Sequence, residues 1–555
     1  MQVKLQIPSA KRDKHLLTSI KTLTYSSTLG KKQMSKAAEM AKVSAKGGFH
    51  LLWGLVASTI ISAVGTIFVG NLLGETNYGL YTIALVAPNL ISTFRDWGIN
   101  TAMIKYTAQY NAENKATNIR SIFAAGIIFE TVLGLTLSVV AFLLSDFLAN
   151  LYNLQITSLI QIASFIILTG ALLSTAQSAF IGVERMELNS ITLVCQSIIK
   201  TIIVPILVML GLGPFGAVLG YAIAFLIAGL IGILLMWTLY KSLPKSTHNK
   251  LEIIATIKTM FNYGLPLSIA AIISGFQTQF YSFILPIYVP PDLIGNFGIA
   301  NTFVVLIAFF ATPITTILFP AFSKIDTQKD QETLKNVFHF SIKYASLLVV
   351  PAAAIVMTLS QPGISVLFPE YTTASLFLAL LALNYLYTAL GSLSIGNLIN
   401  SQGQTKFNLK LALITSAIGV PLSFILISQF GILGLIITTL TAGIPSLIIA
   451  LLWLKKQYGV TVDWSSSVRI LLSGATASAI TYALISQLTF SKWIALIVGA
   501  AVFLFSFLLA VLLMRAINRS DINNLREMLS ELGPLRRLFN FLLNIIEKLM
   551  TIFRL

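Results

Sequence analysis

Apolar residues in this chain fall in blocks of twenty or more, and that spacing constrains its fold more than any other feature. A bilayer's hydrocarbon core is about 30 Å thick and needs roughly 20 helical residues to cross. A membrane β-barrel would instead show short segments of strict alternation, and none dominate here. Only 10% of the 555 residues are charged, against roughly a quarter in a soluble protein. The reading is an all-α polytopic membrane protein with about 14 transmembrane helices. Their limits are 48–71, 77–105, 120–145, 157–182, 190–211, 215–240, 258–286, 292–322, 336–360, 372–400, 407–428, 432–455, 468–487 and 493–515.

The loops between these spans alternate in charge. Lys and Arg occupy the N-terminal tail, positions 115 and 120, 185, 241–250, 324–335, 406 and 410, 455 and 456, and the C-terminal tail. The loops near 73, 150, 213, 289, 365, 430 and 490 hold one basic residue, Lys492. Basic loops stay on the cytoplasmic side, so both termini are expected in the cytoplasm and the protein in the plasma membrane. The net charge of +17 is thereby a matter of topology, not of nucleic-acid binding. Residues 1–46 carry ten Lys or Arg against two acids and no apolar core, which excludes a cleavable signal peptide. Leu16, Leu17, Ile20 and Leu23 could line a short helix on the anionic leaflet, and a disordered basic tail is the alternative. In the tail at 516–555, Leu525, Met528, Leu529 and Leu532 form one apolar stripe. After Pro534, Leu538, Phe539, Leu542, Ile545, Ile546, Leu549 and Phe553 form a second, too charged at its edges to span.

A repeat organises the apolar blocks. Glu75-Thr76-Asn77-Tyr78-Gly79-Leu80-Tyr81 lies over Pro291-Asp292-Leu293-Ile294-Gly295-Asn296-Phe297 at an offset of 216 residues. Pro205 lies over Pro421 at the same offset, and Phe215-Gly216 over Phe430-Gly431 at 215. Six spans fit each period, so both halves enter the membrane in the same orientation, as parallel repeats about an axis along the membrane normal. The expected organisation is a basic tail (1–46), an N-lobe (47–240), a cytoplasmic linker (241–257), a C-lobe (258–456), two further helices (457–515) and an amphipathic tail (516–555).

Catalytic and metal signatures are absent from the sequence. The lone cysteine, Cys195, and the scattered His15, His50, His248 and His339 suggest no metal centre and no cofactor. The GxGxxG match at residues 211–216 joins two apolar spans, follows no strand and contains Pro214, so it is spurious. No phosphate-binding GxxxxGK[ST], HExxH or GxSxG motif occurs. With short loops, the chain is expected to be no enzyme.

The informative residues are charges inside spans: Arg95, Asp96, Glu130, Lys200 and Lys343. Each lies about 10–15 Å along its helix from a cytoplasmic end, at one common depth. One reading is a polar cavity between the halves, cationic on balance. The other is that Arg95 and Asp96 neutralise each other while the lysines extend their heads to the interface. Gln177, Gln277 and Gln279 line such a cavity or bridge helices. Arg95, Lys200, Lys343, Gln277 and Gln279 are the candidate substrate contacts, and Asp96 and Glu130 the candidates for ion coupling.

At residues 74–106 the chain resembles the polysaccharide and oligosaccharide flippases of the multidrug/oligosaccharidyl-lipid/polysaccharide exporter superfamily. The resemblance rests on Tyr78-Gly79-Leu80-Tyr81, on Asp96-Trp97-Gly98-Ile99-Asn100-Thr101-Ala102, and on Lys105-Tyr106. The loop Gly182-Val183-Glu184-Arg185 and its echo Gln402-Gly403-Gln404-Thr405-Lys406 also fit, and the similarity covers about residues 45–515. It implies two six-helix lobes plus two helices, a cationic cavity, and movement of a polyprenyl-phosphate- or pyrophosphate-linked glycan to the outer leaflet. Membrane lipids and glycan assembly enzymes are the implied partners. A flippase for a lipid-linked peptidoglycan precursor, a cation-coupled drug exporter, and a membrane glycosyltransferase or polymerase are the alternatives.

Overall fold

The computed structural model describes residues 12–244, 252–311, 318, 322–323, 325, 330–487 and 491–529, with 540, 543–544, 547–548 and 550–551; side chains are described from residue 50 onward, Leu267, Leu525 and residues 527–529 excepted. The chain is all-α, with no strand among the described residues. It is a multi-pass membrane protein: among the described residues ten helices are long and apolar enough to cross a bilayer, or eleven if the bent pair Ala374–Leu390 and Ser392–Ser401 counts as one span. Three of these run for 43, 57 and 54 residues, well over the roughly 20 that one crossing needs. Each is broken where backbone geometry leaves the helix, at Gly74, around Gly211 and Gly213, and at Gly431. The expected fourteen spans require that each of the three crosses twice.

The repeat is visible in the way the halves touch. A side chain at Gly79 would collide with the carbonyl of Pro291, and one at Gly295 with the carbonyl of Glu75. At the 216-residue offset Glu75 maps onto Pro291 and Gly79 onto Gly295. The contact is therefore reciprocal, as a two-fold relation demands. Thr82 and its counterpart Gly298 face each other across the same seam. Asn296, 1% exposed, fastens this seam. Its Nδ2 donates to Glu75 Oε2 at 2.8 Å, and its Oδ1 accepts from the N–H groups of Thr373 and Ala374 at 3.2 and 3.0 Å. The largest apolar core lies here and draws on both lobes, including Ile83, Ile299, Phe368, Tyr371 and Ile427.

In one place the repeat register shifts. Gly213 (φ 51°, ψ −135°) and Gly431 (φ 56°, ψ −127°) share one unusual conformation at their bends. They, not Gly216 and Gly431, are the equivalent glycines, so the offset grows from 216 at Pro205 and Pro421 to 218 here, an insertion of two residues within the second half. Both adopt φ values that a side chain resists.

The helix Ile253–Tyr288 belongs to both lobes. Met260 is buried in the core formed by Ile99, Phe123, Phe180 and Met236, and the Phe261 ring stacks on Trp97 at 6.2 Å. Further on, Gln277 Oε1 accepts from Ser416 Oγ at 2.8 Å, tying the same helix to Thr405–Thr441. The apolar stripes at 16–23, 525–532 and 538–553 lie outside the described side chains, as does the middle of the linker at 245–251.

Candidate functional site

The second expected span, 77–105, is not continuous. Helix ends at Ser92 and resumes at Ile99. Between them Thr93, Phe94 and Arg95 donate to carbonyls three residues back, and Gly98 adopts φ 84°. Unwinding at this depth exposes backbone donors that lipid cannot satisfy. Asp96 supplies the acceptor: its Oδ1 receives the N–H of Gly98 at 2.9 Å and of Asn100 at 3.3 Å. An anion at that point also suits the positive end of the following helix. Asp96 is thus committed to the turn.

Arg95 is held by other groups. Its Nε lies 3.3 Å from Glu130 Oε2, off line for a hydrogen bond, and Glu130 is fully buried while Arg95 is 15% exposed. Nη2 donates to Ser174 Oγ at 2.9 Å and Nη1 to the Ile167 carbonyl at 3.4 Å. Glu130 Oε1 accepts from Asn100 Nδ2 at 2.9 Å. Among the described residues no ion pair joins Arg95 to Asp96, so in place of mutual neutralisation, one of the two readings of these neighbours, Arg95 pairs with Glu130. The second N–H of each terminal nitrogen is left for the cavity that Arg95 lines, while Nε is buried against Glu130.

That cavity has a volume of about 310 Å³ and lies within the N-lobe, with Asn89, Ser92, Ser174, Gln177, Gln196 and Tyr221 supplying polar atoms beside Arg95. Lys200 stands behind its wall, its Nζ 4.8 Å from the centre of the Tyr221 ring. Among the described residues Lys200 has no carboxylate partner, so one cation of the pocket is balanced by Glu130 and a second is not. The arrangement suits an anion accompanied by hydrogen-bonding groups.

The other expected residues lie elsewhere. Gln277 donates from Nε2 to Tyr281 at 2.5 Å and accepts from Ser416, so it bridges helices in the C-lobe. Gln279 is half-buried on the same helix and does not line the Arg95 cavity. Lys343 pairs with Asp521 at 2.6 Å, in a separate cavity at the end of the membrane domain. The sequence reading missed Asn100, Ser174, Gln196 and Tyr221. Gln196 precedes Lys200 by one helical turn, and Ser174 precedes Gln177 by three residues, so helical spacing would have brought both onto the faces already singled out.

Two family descriptions match this chain. Residues 44–326 match "Polysaccharide biosynthesis protein" and residues 300–511 match "Lipid II flippase MurJ". The first covers more than half of the sequence, and the chain belongs to the polysaccharide biosynthesis protein family. Among relatives, the lipopolysaccharide biosynthesis protein WzxC of Escherichia coli is 24% identical over 66% of this chain and 73% of its own length. A protein described as "Probable low-salt glycan biosynthesis flippase Agl15", from Haloferax volcanii, is 26% identical over 39% of this chain and 44% of its own. The solved structure of the lipid II flippase MurJ in an inward closed conformation superposes with a TM-score of 0.67 at 16% identity, covering 84% of this chain and 98% of that one. That likeness establishes a shared fold.

Proposed function

We propose that this protein is a flippase that moves a polyprenyl-linked oligosaccharide from the cytoplasmic to the outer leaflet by alternating access. The observation that carries the reading is the Arg95 cavity: a guanidinium fixed at a break in a membrane helix, among amides and hydroxyls, with Lys200 behind Tyr221. Family membership and the names of WzxC and Agl15 support it. The physics fits. Sugar hydroxyls cannot cross hydrocarbon without partners. A phosphate or pyrophosphate can be gripped by Arg through parallel hydrogen bonds. Outward movement of that anion is driven by an inside-negative potential, about 2.3 kcal/mol per charge per 100 mV.

In this reading Arg95 and Lys200 receive the anion, and both termini are cytoplasmic. Of the two candidates for ion coupling, Asp96 and Glu130, we favour Glu130, because its Oε2 accepts no hydrogen bond among the described residues and has only the Arg95 guanidinium beside it, while Asp96 is spent on the turn. A second reading, a flippase for a lipid-linked peptidoglycan precursor, is favoured by the match of residues 300–511 to the lipid II flippase family. The two differ in the glycan, not in the mechanism.

The test is a reconstitution. Purified protein in liposomes should make a fluorescent polyprenyl-linked glycan accessible to an impermeant glycosidase, with the lipid's mass unchanged before digestion. No exposure above protein-free liposomes would refute transport, and a mass gain by sugar addition would establish catalysis instead.

A further inference from the structure

A second cavity, of about 470 Å³, lies where the helices Gln331–Leu367, Trp464–Gln487 and Lys492–Leu513 end on one face. It shares no lining residue with the Arg95 cavity. Its walls carry Lys343, Arg469 and Arg515 against Asp463 and Asp521.

These charges are not equivalent. Asp521, 1% exposed, is saturated: Oδ2 takes Lys343 Nζ at 2.6 Å and the N–H of Asn518 at 2.8 Å, and Oδ1 takes the Tyr344 hydroxyl at 3.3 Å. Asp463 is occupied as the cap of the helix that follows, accepting from the N–H and hydroxyl of Ser466 at 3.3 and 2.5 Å. His339 Nε2 is bound to the Thr461 carbonyl at 2.7 Å. The two arginines have no such settlement. Arg469 Nη1 donates to the Arg515 carbonyl at 3.1 Å, and neither guanidinium makes an ion pair among the described residues. Both side chains are exposed at the mouth of the cavity.

Two further features fix the ligand's class. Arg515 has φ 54°, a conformation that glycine adopts freely and arginine does not, so the chain keeps a long cationic side chain where the backbone disfavours one. The cavity also lies at the edge of the apolar zone. Trp464, 53% exposed, opens one apolar helix, and Leu513, 60% exposed, closes another. Exposed Trp beside cationic side chains marks the headgroup level of a bilayer.

We propose that this cavity binds the phosphate of an anionic phospholipid headgroup, with Arg469 and Arg515 as its ligands. Guanidinium groups hold phosphate oxygens through charge-assisted hydrogen bonds, and the exposed Trp464 and Leu513 beside the cavity suit the level at which membrane lipids present their phosphates. The site is separate from the transport cavity, and its occupancy is independent of which glycan the protein moves.

The test uses the full chain purified in dodecyl maltoside and reads thermal unfolding with added short-chain phosphatidylglycerol, short-chain phosphatidylcholine or inorganic phosphate. Phosphatidylglycerol should raise the melting temperature and phosphatidylcholine should not. Arg469→Gln and Arg515→Gly should each cut the shift by half or more, and the double variant should abolish it. Arg515→Gly relieves the backbone, so loss of binding there is not a folding defect, and Arg469→Lys, which keeps the charge, should retain part of the shift. Equal shifts from both lipids, or an undiminished shift in the double variant, would overturn the site. An equal shift from inorganic phosphate, lost in the double variant, would uphold a phosphate site and overturn the lipid as its ligand.

Discussion

Replacing Arg95 by Ala separates its structural and functional roles, because its partner is fully buried. Glu130 is 0% exposed and Arg95 15%. Removing one member of a buried pair leaves an uncompensated charge, which costs about 3–5 kcal/mol. Asn100 still satisfies Glu130 Oε1, but Oε2 has no hydrogen-bond donor to replace Arg95. The opposite change, Glu130→Gln, should cost less, about 1–3 kcal/mol. Arg95 keeps Ser174 and the Ile167 carbonyl and borders the cavity, while the new amide oxygen still accepts from Asn100. The double variant Arg95→Ala with Glu130→Gln should therefore be more stable than Arg95→Ala alone. Combining Arg95→Ala with Asp96→Ala should instead be worse than Arg95→Ala, by about 1 kcal/mol for the lost hydrogen bonds from the Gly98 and Asn100 N–H groups in the turn. Detergent-titrated unfolding in mixed micelles reads these differences. Transport at matched membrane levels then reads the function, with Glu130→Gln alone as the reference because Glu130 is itself the candidate for ion coupling: adding Arg95→Ala to it should abolish the transport that remains, and Arg95→Lys should be partly active. Equal instability of Arg95→Ala with and without Glu130→Gln would refute the pairing argument, and transport in that double variant equal to that of Glu130→Gln would remove Arg95 from the site.

Three other outcomes are expected. Lys343→Ala strands the buried Asp521 and should release the segment Arg519–Leu529 to protease, and adding Asp521→Asn should restore its protection. Asn296→Ala removes the hydrogen bond to Glu75 across the seam and two more to the Thr373 and Ala374 N–H groups of its own lobe, and should raise modification of a cysteine placed at Tyr78, read by labelling at equal protein levels. In a Cys195→Ser background, a cysteine at Asn153 should react with an impermeant maleimide in intact cells and one at Lys455 should not; the reverse would refute the proposed orientation.

The spans and the repeat were legible because the bilayer reads hydrophobicity over twenty residues at a time, and the blocks are long. The break at 93–98 was not, since apolar residues continue on both sides of Arg95 and Asp96 and a glycine's φ is invisible in its letter. Arg95, Glu130 and Lys200 stood out as charges where charges are expensive. Their partners did not. Arg95 and Asp96 are adjacent and so read as a pair, yet neighbours along the chain point in different directions. Arg95 instead meets Glu130 from the next long helix, and Lys343 meets Asp521 from the far end of the chain. Such pairings are made by packing, and the single sequence carries no local signal for them.

The repeat also explains why the cavity belongs to one lobe. Scaffold contacts obey the two-fold relation: Gly79 against Pro291, Gly295 against Glu75, Thr82 against Gly298. The charges do not. At the 216-residue offset Arg95 maps onto Ala311 and Lys200 onto Ser416. Ala311 is buried in the shared core, and Ser416 bonds Gln277. The C-lobe therefore forms the same architecture without either cation, so neither is required to build the fold. A buried Arg or Lys that the fold does not need, in a solvent that penalises it, calls for a compensating ligand or role. Because the cations are confined to the N-lobe while the seam is shared, rocking of one lobe against the other would carry a bound anion with the N-lobe and part the contacts around Asn296.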